Sequence, residues 1–264
     1  QVEAQGGLLR VHFFDVGQGD AIFIESPTGS QVLIDGGPDN SVLSKLGEVM
    51  PFWDRSIDLI ILTHPHADHL DGFVEVLKRY DVETVLESGV NHTISEYAEW
   101  HELLKEKNVK VVIAKAGQRI RISDAAYLDI LTPSEDFTGK SPKDIHDATI
   151  ISKLNYGVIA ILLMGDAERQ LEYQLLYSKA DLDADVLKAG HHGSKTSSSE
   201  GFLEAGSPEA AVISVGRKNR YGHPHQEIID RLQKFGAKIF RTDTDGDVTL
   251  MSDGRQFSVE KETR

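Results

Sequence analysis

The segment "LTHPHADHLDG" (62–72) places three histidines and two aspartates directly after the apolar run "IDLIIL" (57–62). Neutral imidazole and carboxylate are good ligands for borderline divalent ions. His64 and His66 are two apart, so on an extended segment they point the same way. Asp68 and His69 then fall on the first turn of a following helix. Four ligands within six residues can serve two adjacent metals, the arrangement that activates a water held between them. Alone, Asp68 would read as a helix cap or a first-turn acid. The isolated His12, His92 and His101 read as structural.

Two metals need more ligands than this cluster holds. "LLMGDAE" puts Asp166 at the end of an apolar run, where a buried carboxylate is costly unless it meets a cation. "VLKAGHHGSK" puts His191 and His192 at the end of another run, and "DIHDATII" puts His146 just before a third. The chain has no cysteine, which excludes disulfides, thiol nucleophiles and Cys-based zinc modules. Any metal must be held by His and carboxylate, which suits zinc, manganese or iron.

The elements that must carry these residues can be read from periodicity. Short strands are expected over 8–14, 21–26, 31–37 and 57–63, then over 109–114, 127–132, 148–156, 158–166, 184–189 and 210–216. A turn at Tyr156-Gly157 makes 148–156 and 158–166 a hairpin. Helices are expected over 68–80, with Leu70, Phe73, Val74 and Leu77 as the apolar stripe, and over 95–108, 167–179 and 224–236. Short strands close the chain up to 260. Strand-rich blocks broken by helices in both halves imply two sheets face to face with helices outside. The 264 residues, 29.2 kDa, suit a single domain over 1–264, with "QVEAQGG" (1–7) as a flexible leader.

Composition narrows the function. Hydrophobic residues make up 40% and charged residues 27%, the balance of an ordinary globular protein. With 42 acidic against 28 basic residues the formal net charge is -14, which counts against tight, non-specific DNA binding as the main role. It leaves a nuclease possible, because bound divalent cations supply local positive charge. No apolar run approaches a membrane span. The chain opens on Gln, as expected of a processed or excised piece that a signal peptide or anchor preceded.

With these residues in place the sequence resembles a known family. "HPHADH" matches the HxHxDH signature of the metallo-β-lactamase superfamily. "FFDVGQGDA" (13–21), "LIDGG" (33–37), "LLMGDAE" (162–168), "VLKAGHHGSKTSSS" (186–199), "AVISVG" (211–216) and "YGHPH" (221–225) resemble its ComEC-type branch, named for a bacterial DNA-uptake protein. The resemblance implies an α/β fold, a four-layer αββα sandwich of two mixed sheets, with a dinuclear site at the edge between them. It gives His64, His66 and a third histidine, loosely matched by His146, to one metal. It gives Asp68, His69 and a late histidine to the other, with Asp166 bridging and Asp35 supporting the ligands from behind. For the late ligand His191 is expected, leaving His192 to face substrate. Where this branch often carries an Asn-rich stretch, the chain has "HDAT".

The cleft is expected to include Gln18 and Asp20, Ser194 and Lys195, and the basic segment Arg217, Lys218, Asn219 and Arg220, which beside a phosphodiester would bind phosphate. The expected cofactors are two divalent ions, zinc or manganese, with iron possible. The expected reaction is phosphodiester hydrolysis of single-stranded DNA or RNA, bound weakly and without base specificity, with a metal-bridged hydroxide as nucleophile. Asp68 would orient that nucleophile, and His192 and His223 would assist the oxyanion or leaving group. Two alternatives stay open: promiscuous acyl hydrolysis of a β-lactam or lactone, and a non-catalytic nucleic-acid-binding module. The resemblance also implies an extracytoplasmic place, secreted or anchored at the outer membrane face, with the cytoplasm left open.

Overall fold

The computed structural model describes residues 7–262; all but the last residue of the expected leader lies outside the described residues. One sheet of eight strands contains β1 (Leu9–Phe13), β2 (Ile22–Glu25), β3 (Gln31–Ile34), β4 (Ser56–Ile61), β5 (Asp81–Glu87) and β6 (Lys110–Ile113). The second, of seven strands, contains β7 (Arg119–Arg121), β8 (Ala126–Ile130), β9 (Ser152–Tyr156), β10 (Ile159–Leu163), β11 (Val186–Lys188), β12 (Ala210–Ile213) and β13 (Lys238–Arg241). The chain then returns to the first sheet as β14 (Val248–Ser252) and β15 (Phe257–Lys261), in the order β15-β14-β1-β2-β3-β4-β5-β6. Both sheets are mixed: β3 to β6 and β10 to β13 run parallel, while the remaining pairs are antiparallel.

The period-2 side-chain alternation of strands produces the layers. Val32, Ile34, Leu59 and Ile61 of the first sheet meet Leu128, Leu154, Ile161 and Val212 of the second in a central core. Their neighbours in sequence, Leu33 and Ile60, face the opposite way, under α1 (Ser41–Val49), α2 (Ala67–Arg79) and α3 (Ser95–Glu106). Leu162, Leu187 and Ala211 face α4 (Arg169–Ser178), α5 (Glu200–Gly206) and α6 (Gln226–Lys234) in the same manner. A further turn of helix, α7 (Thr242–Asp245), follows β13. The result is the four-layer αββα sandwich. Phe73 of α2 stacks on Trp100 of α3 with ring centroids 5.4 Å apart, both fully buried. Phe73→Ala would cost about 3–5 kcal/mol there.

Helix α2 is seated by glycine. A Cβ on Gly72 would overlap the Gly36 carbonyl oxygen, so α2 lies directly against the turn after β3. That contact is closed by Gly72 N–H donating to the Gly37 carbonyl (3.0 Å) and Gly36 N–H to the His69 carbonyl (2.7 Å). The expected helix over 68–80 forms at Ala67–Arg79, with Asp68 in its first turn and Lys78 and Arg79 in its last, as the helix dipole favours. The expected strand over 148–156 starts only at Ser152. Residues Ile145–Ala148 form a short 3-10 turn instead, capped by the Asp144 side chain.

Candidate metal centre

The ends of β3, β4 and β10, the turn after β11 and the 3-10 turn at His146 converge on one edge between the sheets. His64 and His66 follow β4, and their Nε2 and Nδ1 atoms stand 3.1 Å apart. Asp166 follows β10. Its Oδ2 lies 3.3 Å from His69 Nε2 and 4.0 Å from His64 Nε2, between the two groups. His192 Nε2 is 3.4 Å from Asp166 Oδ1 and 3.4 Å from Asp68 Oδ2. Donors bound to one tetrahedral ion at about 2.0–2.1 Å stand roughly 3.3 Å from each other, so these separations suit ion binding.

Among the described residues four sets of donor atoms emerge, each within 4.8 Å of one another: His64, His66 and His146; Asp68, His69, Asp166 and His192; His146, Asp166 and His191; and Asp20, Asp35 and His69. Within the second set His69 Nε2, Asp166 Oδ1 and His192 Nε2 are buried without a hydrogen-bond partner among the described residues. An unpaired buried polar atom costs about 1–3 kcal/mol. Three of them converging on one space fit a bound cation, which would satisfy all three.

The supporting contacts fix each ring. Asp35 accepts from Thr63 N–H (2.8 Å) and Thr63 Oγ1 (2.7 Å) and faces His69 Nδ1 at 2.8 Å, leaving Nε2 for the site. Its backbone is left-handed (φ 59°), strain of the kind held at functional sites. Thr63 Oγ1 lies 3.1 Å from His64 Nδ1, His146 Nδ1 lies 2.7 Å from Asp144, and His192 Nδ1 lies 2.8 Å from the Ser214 carbonyl.

A comparison of the whole chain now decides the family. The sequence model of the Metallo-beta-lactamase superfamily matches residues 14–217. The chain belongs to the metallo-β-lactamase superfamily. It is 32% identical to ComE operon protein 3 of Bacillus subtilis over 95% of its own length and 34% of that protein's. It is 31% identical to Recombination protein 2 of Haemophilus influenzae over 91% of its length and 28% of the relative's. It therefore spans about a third of the curated relatives it matches. The metallo-β-lactamase-fold protein YhfI of Bacillus subtilis superposes with a TM-score of 0.63 at 13% identity, covering 94% of this chain and all of that one. Proteins of this superfamily typically bind divalent metals.

In this metallo-β-lactamase fold the adjacent histidines fall into different donor sets. Both take left-handed backbone (φ 46° at His191, 53° at His192), so neither follows strand alternation. His192 is buried and joins the Asp68, His69 and Asp166 set. His191 is partly exposed at the mouth, its Nδ1 3.0 Å from Glu168 and its Nε2 3.8 Å from Asp166. The geometry thus groups His192 with the second set and His191 with His146 and Asp166. His146, the loosest match in sequence, is brought in: its ring centroid lies 4.8 Å from that of His66 and 5.3 Å from that of His64.

Three residues expected to touch substrate are turned inward. Asp20 is fully buried and pairs with the buried Lys188, which also donates to the Gly165 carbonyl (2.9 Å). Asp20 Oδ1 lies 3.5 Å from His192 Nδ1, so this carboxylate backs the second set instead of lining the cleft. Ser194 is buried, with its hydroxyl 2.9 Å from that of Thr196. Asn219 braces its own loop. Its amide donates to the Gly216 and His223 carbonyls and accepts from Tyr221 and His223 N–H. Gln18 accepts from Gly216 N–H (3.2 Å) and so joins the first sheet's loop to that loop. Lys195, Arg217, Lys218 and Arg220 are exposed as expected, with Arg217 Nε donating to the Asp243 carbonyl. Lys188 and Glu168 escaped the sequence reading; a lysine inside an apolar strand was the available signal for the first.

Charge inside the site is unevenly distributed. Burial lowers the pKa of His64, and burial with the nearby His146 lowers that of His66 to about 4, so both are neutral at pH 7. Burial also pulls on His69 and His192, but the carboxylates of Asp166 with Asp35, and of Asp166 with Asp20, outweigh it and raise both well above the usual value. Burial opposes ionisation of Asp68, yet His69 and His192 bring it down to about 2. His223 is lowered to about 4 by burial and by the neighbouring His192 and His191.

Proposed function

We propose that this domain is a dinuclear metal-dependent phosphodiesterase acting on single-stranded DNA or RNA. The observation that carries the reading is the converging set of unpaired buried atoms, His69 Nε2, Asp166 Oδ1 and His192 Nε2, beside an exposed basic loop in an acidic protein. The donor chemistry, nitrogen and carboxylate oxygen only, suits zinc, manganese or iron. Bound there, two divalent ions would lower the pKa of a water and offset charge on the attacked group.

The chain's own residues supply the rest. His64, His66 and His146 would hold one ion, and Asp68, His69, Asp166 and His192 the other. Asp68, partly exposed beside His192, is placed to orient the attacking water as well as to ligate. His223 is neutral at pH 7 and donates a hydrogen bond to a phosphate oxygen without adding charge. Lys195, Arg217, Lys218 and Arg220 attract the backbone on either side of the attacked phosphate. The relatives' names, among them Competence protein ComA of Neisseria gonorrhoeae, support a role in competence. Among the described residues no helix is long and apolar enough to cross a membrane.

Elemental analysis after reconstitution should give about two divalent ions per chain, an expectation set by the ligand count. The loaded protein should cleave a single-stranded oligonucleotide. Loading without cleavage of any phosphodiester would overturn the reading, and hydrolysis confined to a β-lactam or lactone would replace it with acyl hydrolysis.

A further inference from the structure

An unusual stack of rings leads outward from the metal centre. His192 and His223 lie with centroids 6.5 Å apart at 30°, and His223 and Tyr221 follow at 5.6 Å and 25°. The Arg220 guanidinium carbon lies 5.0 Å from the centre of the Tyr221 ring, and its Nη2 donates to the Tyr221 hydroxyl (2.9 Å) at the ring's edge. Three planar groups beyond a candidate catalytic ligand thus lie in succession, the outer two exposed.

Folding does not account for Tyr221. Half of its surface is open to solvent (50%), so it contributes little to the core. Yet its backbone is held firmly. Asn219 accepts from the N–H groups of both Tyr221 and His223 (3.2 and 2.9 Å) and donates to the His223 carbonyl (2.7 Å). The next residue, Gly222, is left-handed (φ 73°), and a Cβ built there would meet no atom within 4 Å outside its chain neighbours, so the loop is open at that point. A braced loop that presents an exposed ring is pre-organised for a planar ligand.

We infer that Tyr221, with Arg220 at its edge, is a nucleobase-stacking subsite that receives an unpaired base next to the cleaved linkage. The inference rests on the phosphodiesterase reading and deepens it. Aromatic rings and guanidinium planes both stack bases, and they do so without sequence preference because every base offers a π face. Arg220 then serves twice, covering the base and reaching a flanking phosphate. A duplex keeps its base faces covered by neighbouring pairs, so the subsite selects single strands or frayed ends. The substrate preference comes from this loop, and not from the metals.

The test compares two substrates on the metal-loaded protein: a mixed-sequence single-stranded oligonucleotide and an abasic oligonucleotide of equal length and charge. Wild type should show a KM for the abasic strand about 5- to 100-fold higher, the range expected for loss of one base–aromatic stack. Tyr221→Ala should erase most of that difference by raising KM for the intact strand alone, and Tyr221→Phe should keep it. Equal KM values in wild type, or a difference that survives Tyr221→Ala, would overturn the subsite while the phosphodiesterase reading stands. Cleavage of neither strand would instead overturn the phosphodiesterase reading.

Discussion

The separate grouping of His192 and His191 gives the most exacting test. His192→Ala removes one donor from the set formed with Asp68, His69 and Asp166, whose nearest separations are 3.3 to 3.4 Å. Changing a residue that only supports a ligand typically costs 10- to 100-fold in metal affinity. Losing a direct donor should therefore weaken the second ion by about 100-fold or more, about 2.8 kcal/mol. His191→Ala removes a partly exposed ring grouped with His146 and Asp166 and should weaken the second ion far less than His192→Ala does.

Protons provide an independent readout in the same titration. In the metal-free protein His192 is raised well above 6.5, because Asp166 and Asp20 outweigh its burial, so it carries a proton at pH 7. A cation can take Nε2 only when that proton leaves. Calorimetry in buffers of different ionisation enthalpy should thus show about one proton fewer released by His192→Ala than by wild type. Removing His192 leaves Asp166 and Asp35 to His69, which keeps its own proton. If His191→Ala loses the second ion while His192→Ala binds normally, the grouping drawn from the left-handed turn is wrong.

Three further outcomes are expected. Asp166→Asn should lower occupancy of both ions and phosphodiester cleavage together, since its carboxylate lies between the two sets; loss of only one ion in elemental analysis would deny the bridge. His146→Ala should weaken one ion selectively, leaving the proton release tied to His69 and His192 intact; unchanged metal content would mean the first set is completed by another donor. Changing Arg217, Lys218 and Arg220 together to Ala should flatten the log–log salt dependence of single-strand binding by about 2, since each phosphate contact contributes about 0.7. An unchanged slope would show that the loop does not meet the backbone.

The legible part of the site is the part that is local. "HPHADH" holds four donors within one strand-to-helix turn, so spacing alone brings them together, and α2 begins where Asp68 and His69 require it. Asp166 was legible for a different reason: a carboxylate at the end of "VIAILLMGD" needs a partner wherever the strand packs. The order of His191 and His192 was not legible. Strand alternation assigns opposite faces to neighbours only on extended backbone, and both residues leave that region. The strand expected from 148 began late because Ile150 and Ile151 are buried as loop residues, with Ile150 N–H donating to the Thr63 carbonyl (2.9 Å). Ile150 packs in the core between the sheets, while Ile151 packs on the outer face under α4 to α6. The nine-residue α1 went unread because it buries only Val42 and Leu46, too few to show a period.

Asp20 shows most clearly where local reasoning ends. In "DVGQGDA" a carboxylate between glycines looks like a cleft residue, because nothing nearby in sequence would neutralise it. Its partner, Lys188, is 168 residues away, inside a strand otherwise read as apolar. Burying either charge alone costs several kcal/mol, so each implies an opposite charge somewhere in the fold. The sequence offers 42 acidic residues as candidates for Lys188, and only the meeting of the two sheets selects one. Once paired, the two lie beneath the second set. Lys188 holds the Gly165 carbonyl beside Asp166, and Asp20 faces His192 and His69. A carboxylate expected in the cleft and a lysine that escaped the sequence reading thus form a support that ties β11 of one sheet to the loop after β1 of the other, directly behind the candidate metal centre.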